Sequence, residues 1–208
     1  MVRITKSPQE RKQEIIATAR RLFQTESYDK ITMQRVVDEV DIAKGTLFYY
    51  FQSKEDLLRA VVEDIIREDS ERKQIAIEKT TGNALDKIRA VMQLDSMAAK
   101  YPNILESLHE IGNAAMHTQL LAVMIVNEAF LYEKLIRQGC DEGIFHTDTP
   151  LECAEFIISG IQFLTDTGIY PWPQADLLRR MQAFPGLVEA ILKAQSGSFG
   201  FMLNNLAN

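Results

Sequence analysis

Seven residues between positions 32 and 54 have the types and spacing to contact a nucleic acid: Thr32, Lys44, Gly45, Thr46, Tyr49, Tyr50 and Lys54. Lys44 and Thr46 fall in the first turn of a short predicted helix, Ala43 to Tyr50. From that turn an ammonium can reach guanine O6 and N7, and a threonine methyl can pack on thymine. Gly45 between them costs a helix ~1 kcal/mol relative to alanine, so its presence needs a reason. Close approach of a DNA backbone or base edge is one, and tight packing against a neighbouring helix is the other. Leu47 and Phe51 are spaced to face inward, so Tyr49 and Tyr50 cannot both do so. At least one phenol therefore points out, offering a ring to a thymine methyl or sugar and a hydroxyl to a phosphate oxygen. Thr32 and Lys54 each lie near a helix start, where side chain and backbone N–H groups together suit a phosphate.

The elements that must position these residues are helical, because apolar residues recur at helical spacing almost everywhere and neither low-complexity tracts nor repeats interrupt them. Ser7, Pro8 and Glu10 form a start signal and capping box for a first helix, whose inward face is Ile15, Ala19, Leu22 and Phe23. It stops near Ser27-Tyr28-Asp29. Thr32 caps a second short helix with Val36, Val37 and Val40 inward, and a break at Asp41-Ile42 leads into the third. Two short helices joined by a tight turn make a helix-turn-helix, in which the second helix lies in the major groove.

Ser53-Lys54-Glu55-Asp56 starts a fourth helix running past Arg67, with Leu57, Leu58, Val61, Val62, Ile65 and Ile66 apolar. It is long enough to join two bodies rigidly. After a turn at Thr80-Thr81-Gly82-Asn83, helices are expected over 84–99, 102–117 and 118–138, then a loop from Gly139 through Asp148. Thr149-Pro150 opens the next helix, and Pro171-Trp172-Pro173 separates it from a last one beginning near Ala175, which Pro185 should bend.

The stretch Ile31 to Leu58 resembles the DNA-binding region of TetR-family transcriptional regulators, on Lys44-Gly45-Thr46-Leu47, Tyr50-Phe51 and Ser53-Lys54-Glu55-x-Leu57. The resemblance covers roughly Glu10 to Leu58. It implies an all-α, homodimeric, ligand-responsive regulator, usually a repressor, with a divergent C-terminal domain that binds the effector and dimerises. Four positions depart from the pattern: Asp41 stands for the usual turn glycine, Val40 for a small residue, Ala43 for a serine and Phe48 for a tyrosine. Asp41 either adopts the left-handed conformation that Asp tolerates or caps the third helix in place of the missing serine. These departures bear on the operator sequence and leave open a second reading, a helical ligand-binding or protein-interaction module with altered or lost DNA binding.

Composition agrees with this organisation. The 208 residues are 46% hydrophobic and 25% charged, an ordinary globular balance. The net charge of -6 argues weakly against nucleic acid, but it averages unlike parts: Met1 to Lys54 carries ten Lys/Arg against seven Asp/Glu, a net of +3, and the remainder carries -9. A basic head can approach phosphates while an acidic body is repelled. Expected domains are therefore 1–54, binding DNA, and 55–208, for effector binding and dimerisation. Cys140 and Cys153 cannot form a disulfide framework, which suggests the cytoplasm. The basic start Met1 to Lys6 lacks a following apolar region, and the longest apolar run, Leu120 to Val126, is too short for a membrane span. No nucleophile–base pair, phosphate-binding glycine loop, cofactor motif or metal-ligand spacing stands out, His109, His117 and His146 included. An enzyme is therefore disfavoured.

In the body, the helix after Pro150 is apolar nearly all round. Leu151, Ala154, Ile157, Ile158, Ile161 and Leu164 form one face, and Phe156, Gly160 and Phe163 extend along a second. Such a helix needs cover on both sides. Together with the last helix it gives an expected dimer interface of Phe156, Ile157, Gly160, Phe163, Leu178, Met181, Phe184 and Val188. Expected pocket residues for a small hydrophobic or amphipathic effector are Met92, Met97, Tyr101, Met116, Phe130, Phe163 and Trp172, because methionine and flat aromatic surfaces adapt to such ligands.

Overall fold

A computed structural model describes residues 6–206, apart from the side chains of Met97, Ala98, Ile111 and residues 204–206. The basic start up to Thr5 lies outside the described residues. All regular structure among those described is helical. The helices are α1 (Pro8–Thr25), α2 (Met33–Val40), α3 (Lys44–Tyr50), α4 (Lys54–Lys79), α5 (Ala84–Met92), α6 (Met97–Lys100), α7 (Pro102–Leu108), α8 (Ala114–Asp141), α9 (Pro150–Thr165) and α10 (Gln174–Leu192).

The opening of α1 follows its sequence signal. Glu10 N–H donates to Ser7 Oγ at 3.2 Å, and Ser7 N–H donates back to the Glu10 carboxylate at 2.7 Å. Ile15, Ile16, Ala19, Leu22 and Phe23 are buried, as are Val36 and Val37 of α2, which packs on α1. Val40, expected inward, is only half-buried. Leu47, Phe51 and the α4 residues Leu57, Leu58, Val61, Val62 and Ile65 complete this core. Burial of each such large side chain contributes ~1.5–3 kcal/mol.

The chain divides into two compact units. One gathers the chain up to Glu68 with Ser96–Leu120, and the other gathers Asp69–Asp95 with the chain from Leu121 onward. The first half of α4 belongs to the first unit for a visible reason beyond its buried face: Arg20 of α1 bonds Glu68 at 2.6 Å and lies 3.6 Å from Asp64. The same guanidinium bonds the Tyr101 hydroxyl and lies 4.9 Å from the centre of that ring.

Between α5 and α8 the helix limits differ from those expected. The segment 84–99 is not one helix: it breaks after Met92, and the Ser96 hydroxyl accepts from Ala99 N–H at 3.2 Å to start α6. The segment 102–117 breaks at His109, where buried Asn113 donates its side-chain N–H to the Ser107 carbonyl at 2.7 Å. A 3-10 turn, Ile111–Asn113, then leads into α8, which begins earlier and ends later than the span 118–138. Both breaks rest on a side chain satisfying a backbone group that the helix would otherwise use.

The second unit has its own core of Ala84, Ile88, Ala129, Leu135, Ile136, Phe145, Ala154, Ile158, Val188, Leu192 and Phe199. Gly139 is required there, because a Cβ would occupy the position of the Phe145 ring. That ring stacks on Phe199 at 5.8 Å, and Phe199 N–H donates to Glu189 at 2.9 Å, which folds the apolar tail back onto α10. α10 continues through Pro185. By length and composition alone α8 could cross a membrane, with mean hydropathy 1.3 over its most apolar window. Within the fold it instead buries Ala129, Leu135 and Ile136, and its Glu128 pairs with Lys73.

Candidate nucleic-acid interface and ligand cavity

The turn between α2 and α3 orients the helix-turn-helix. Thr32 caps α2, its hydroxyl accepting from Arg35 N–H at 3.1 Å. α2 ends on Asp41 at φ 56°, ψ 57°, in the left-handed region, and Asp41 N–H donates to the Val37 carbonyl. α3 begins after Ala43 with no side-chain cap, so of the two roles open to Asp41 the structure shows the turn.

On α3, Leu47 is fully buried and Phe51, just beyond, is 2% exposed, while the opposite face is bare. Lys44 and Gly45 are exposed, and Thr46 and Tyr50 are half-buried. Tyr49 is 77% exposed and meets the edge of Tyr50 at 5.0 Å. A Cβ at Gly45 would meet nothing within 4 Å, which removes packing against a neighbouring helix as the reason for glycine. The Lys44 ammonium lies 5.7 Å from the Phe48 ring centre.

Thr32 and Lys54 are placed differently from these five residues. The Thr32 hydroxyl is engaged in its cap. Lys54 Nζ donates to the Tyr28 carbonyl at 3.0 Å and sits 3.7 Å from the centre of that ring. Two arginines of the head share one carboxylate: Arg21 pairs with Glu39 at 2.8 Å, and Arg35 with Glu39 at 3.1 Å. The Arg21 guanidinium holds the Glu39 carboxyl below the usual carboxylate range. Part of the head's positive excess is thus spent tying α1 to α2.

The second unit contains a cavity of about 150 Å³. Ala154, Ile157, Ile158, Ile161 and Gln162 line it from one face of α9, Glu128, Tyr132 and Ile136 from α8, and Ile88 and Met92 from α5. Val188, Leu192, Phe199 and Met202 close it. Lys73 bridges Asp69 at 2.8 Å and Glu128. Burial works against the charge of that ammonium, but the two carboxylates outweigh it and raise its pKa. Burial, reinforced by the Glu128 charge, pushes the Tyr132 hydroxyl pKa up, so the phenol stays neutral.

Of the expected pocket residues, Met92 lines this cavity. Tyr101 and Met116 are buried in the first unit, Tyr101 beside Arg20. Phe130 and Phe163 are 53% and 54% exposed. Trp172 lies under the Arg180 guanidinium at 3.8 Å and against Tyr170. The Met97 side chain lies outside the described residues. The wall of this cavity is built mainly from branched aliphatic residues on helical faces rather than from methionine and aromatic side chains. A different signal was present: Glu128 and Gln162 each interrupt an apolar stretch, and both line the cavity.

The expected dimer face also divides. Phe156 is 71% exposed, Leu178 43%, and Gly160 has open space where its Cβ would be. Leu187, not among the expected residues, is 55% exposed, and Met181 is half-buried. Ile157, Phe184 and Val188 are placed inward in the single chain: Ile157 and Val188 line the cavity, and Phe184 is 8% exposed in the core. Ile157 sits ~100° around the helix from Phe156, which turns it toward Ala154 and Ile161.

Family models agree with both parts of the chain. Residues 15–61 match that of the bacterial regulatory proteins, tetR family, and residues 98–187 match the tetracyclin repressor-like C-terminal domain. The chain is 21% identical over 177 residues to the HTH-type transcriptional regulator YfiR of Bacillus subtilis, covering 81% of this chain and 85% of that protein. It is 32% identical over 92 residues to the HTH-type transcriptional repressor Rv1474c of Mycobacterium tuberculosis, covering 43% of this chain and 47% of that one. A tetR-family regulator from Pectobacterium atrosepticum shares the fold at a TM-score of 0.67, with 21% identity over 89% of this chain and 95% of its own. With family models matching more than half its length, on the helix-turn-helix and on the body, the chain belongs to the tetR family of DNA-binding transcriptional regulators.

Proposed function

We propose that the protein is a cytoplasmic, homodimeric repressor that leaves a palindromic operator when a small hydrophobic or amphipathic effector fills the cavity of the second unit. The observation that carries the DNA reading is the bare face of α3, with Lys44 and Tyr49 exposed and open space at Gly45. Lys44 and Thr46 would read base edges, with Tyr49 and Tyr50 at thymine methyls, sugars or phosphates. Thr32 and Lys54 would contribute through remaining donors and the backbone. The tight turn at Asp41 supports this reading over that of a module without DNA binding, since the departure from glycine leaves the helix-turn-helix intact.

A second copy would cover the exposed apolar residues of α9 and α10, which pack on each other. Two-fold symmetry then predicts half-sites about one helical turn, or a few more base pairs, apart. An effector acts by binding one of two conformations more tightly, here the one with weaker DNA affinity.

The experiment is a mobility-shift titration against the DNA upstream of the protein's own gene at low salt. Wild type should bind, and a Lys44→Ala, Tyr49→Ala double variant should lose about 30-fold or more in affinity, as two lost contacts imply. No wild-type binding, or equal binding by the double variant, overturns the reading. For the dimer, Phe163→Asp should sediment as a folded monomer; a soluble dimer refutes the proposed interface.

A further inference from the structure

The cavity wall contains one buried acceptor that the protein leaves unused. Gln162 Oε1 is shielded from solvent and has no hydrogen-bond partner among the described residues. Ile158, one turn before it, and Ile161, beside it, also line the cavity, and the nearby Thr165 hydroxyl is already engaged, donating to the Ile161 carbonyl at 2.8 Å. Buried acceptors in folded proteins are nearly always paired, and an unpaired one marks a place where a partner is missing.

Size and charge restrict what that partner can be. An apolar cavity of about this volume takes a molecule the size of benzene, so the ligand is about one ring large. An anion would face both the Gln162 oxygen and the Glu128 carboxylate, and no cationic side chain lines the wall among the described residues. A cation would lose its hydration against isoleucines, while the carboxylate that could compensate it is already bridged to Lys73. Lys73, Glu128 and Asp69 thus form a satisfied ionic group at the cavity margin, rather than a receptor for ligand charge.

We propose that the cavity selects a neutral, single-ring-sized molecule with an apolar body and one hydroxyl or N–H group that donates to Gln162 Oε1. This rests on the reading of the cavity as the effector site. Gln162 is then the residue that sets specificity: its oxygen favours a donor over isosteres lacking one by about one net hydrogen bond, while the aliphatic wall accepts the body of the molecule.

Calorimetric titration of the full-length protein with p-cresol, toluene, 4-methylanisole and benzoate tests this. p-Cresol should bind about 3- to 10-fold more tightly than toluene or 4-methylanisole, the difference one net hydrogen bond makes. Benzoate should bind more weakly than toluene. Gln162→Leu should abolish the p-cresol preference and keep toluene binding; Ile161→Phe, which narrows the cavity at a half-buried position, should weaken all of them. Equal affinities for p-cresol and 4-methylanisole overturn the proposal, as does a preference that survives Gln162→Leu or a tighter fit of benzoate. If toluene binds wild type and is weakened by Ile161→Phe while the donor makes no difference, the ligand class fails and the cavity stands as a site. Absence of binding by every probe overturns the inference and the effector reading together.

Discussion

Gly45→Ala should move stability and DNA affinity in opposite directions. Gly45 is the second residue of α3, is not among the glycines with positive φ, and has nothing within 4 Å of an added Cβ. Alanine is therefore free of both backbone strain and collision. The full helix-interior advantage of alanine is ~1 kcal/mol, and roughly half is expected in a first turn, where fewer helical bonds depend on the residue. For a chain of this size that raises the melting midpoint by about 1–2 °C. If glycine is present because DNA approaches the α3 backbone there, the same methyl must displace the helix from the groove. Loss of one base contact is worth ~1–3 kcal/mol, or about 5- to 150-fold in affinity. Urea denaturation followed by circular dichroism measures the first quantity, and a low-salt mobility-shift titration measures the second. A less stable variant would show that the space at Gly45 is not open. A more stable variant that binds DNA as tightly as wild type would refute the placement of Gly45 at the interface.

Two further changes test the turn and the body. The left-handed conformation of Asp41 costs an L-residue ~1–2 kcal/mol, with Asp at the lower end, and glycine recovers this less its own ordering entropy, so Asp41→Gly should gain ~0.5 kcal/mol. Asp41→Ala should fall below wild type in urea midpoint, and the opposite order would contradict the turn assignment. Glu142 is held below the usual carboxylate range chiefly by Ala84 N–H, which donates to it at 2.8 Å, and then by Gln138. A depressed carboxylate pKa contributes stability above its unfolded value, and that stability is lost as pH falls through the folded value. Glu142→Gln should therefore be less stable than wild type at pH 7, with the gap closing between about pH 5 and pH 3. A gap independent of pH would mean that the carboxylate charge plays no part.

Local signals in the sequence determined most of the first unit's first half. Capping boxes, Pro at a helix start, and the alternation of buried and exposed positions depend on residues three or four apart, so they are readable along one helix. That is why α1, the Thr32 cap, the inward Leu47 and Phe51 and the outward Tyr49 agree with the sequence reading. The choice at Asp41 between turn and cap was not readable there, because the same side chain suits both and only the backbone dihedrals distinguish them.

Tertiary structure decided how the remaining faces are used. The α9 stripe was recognisable as apolar on two sides, but which side meets the protomer's own core and which meets solvent depends on where α8, α10 and the tail pack. Hence Ile157 and Val188 line a cavity while Phe156 and Phe163 stand exposed. The compact units likewise divide within α4 rather than at its start, because Arg20, some fifty residues away in sequence, anchors Asp64 and Glu68 to α1. The single orphaned oxygen of Gln162 is legible in sequence only as a polar residue in an apolar run. Whether such a residue is bonded depends on partners brought together by folding, and no periodicity along one helix contains that information.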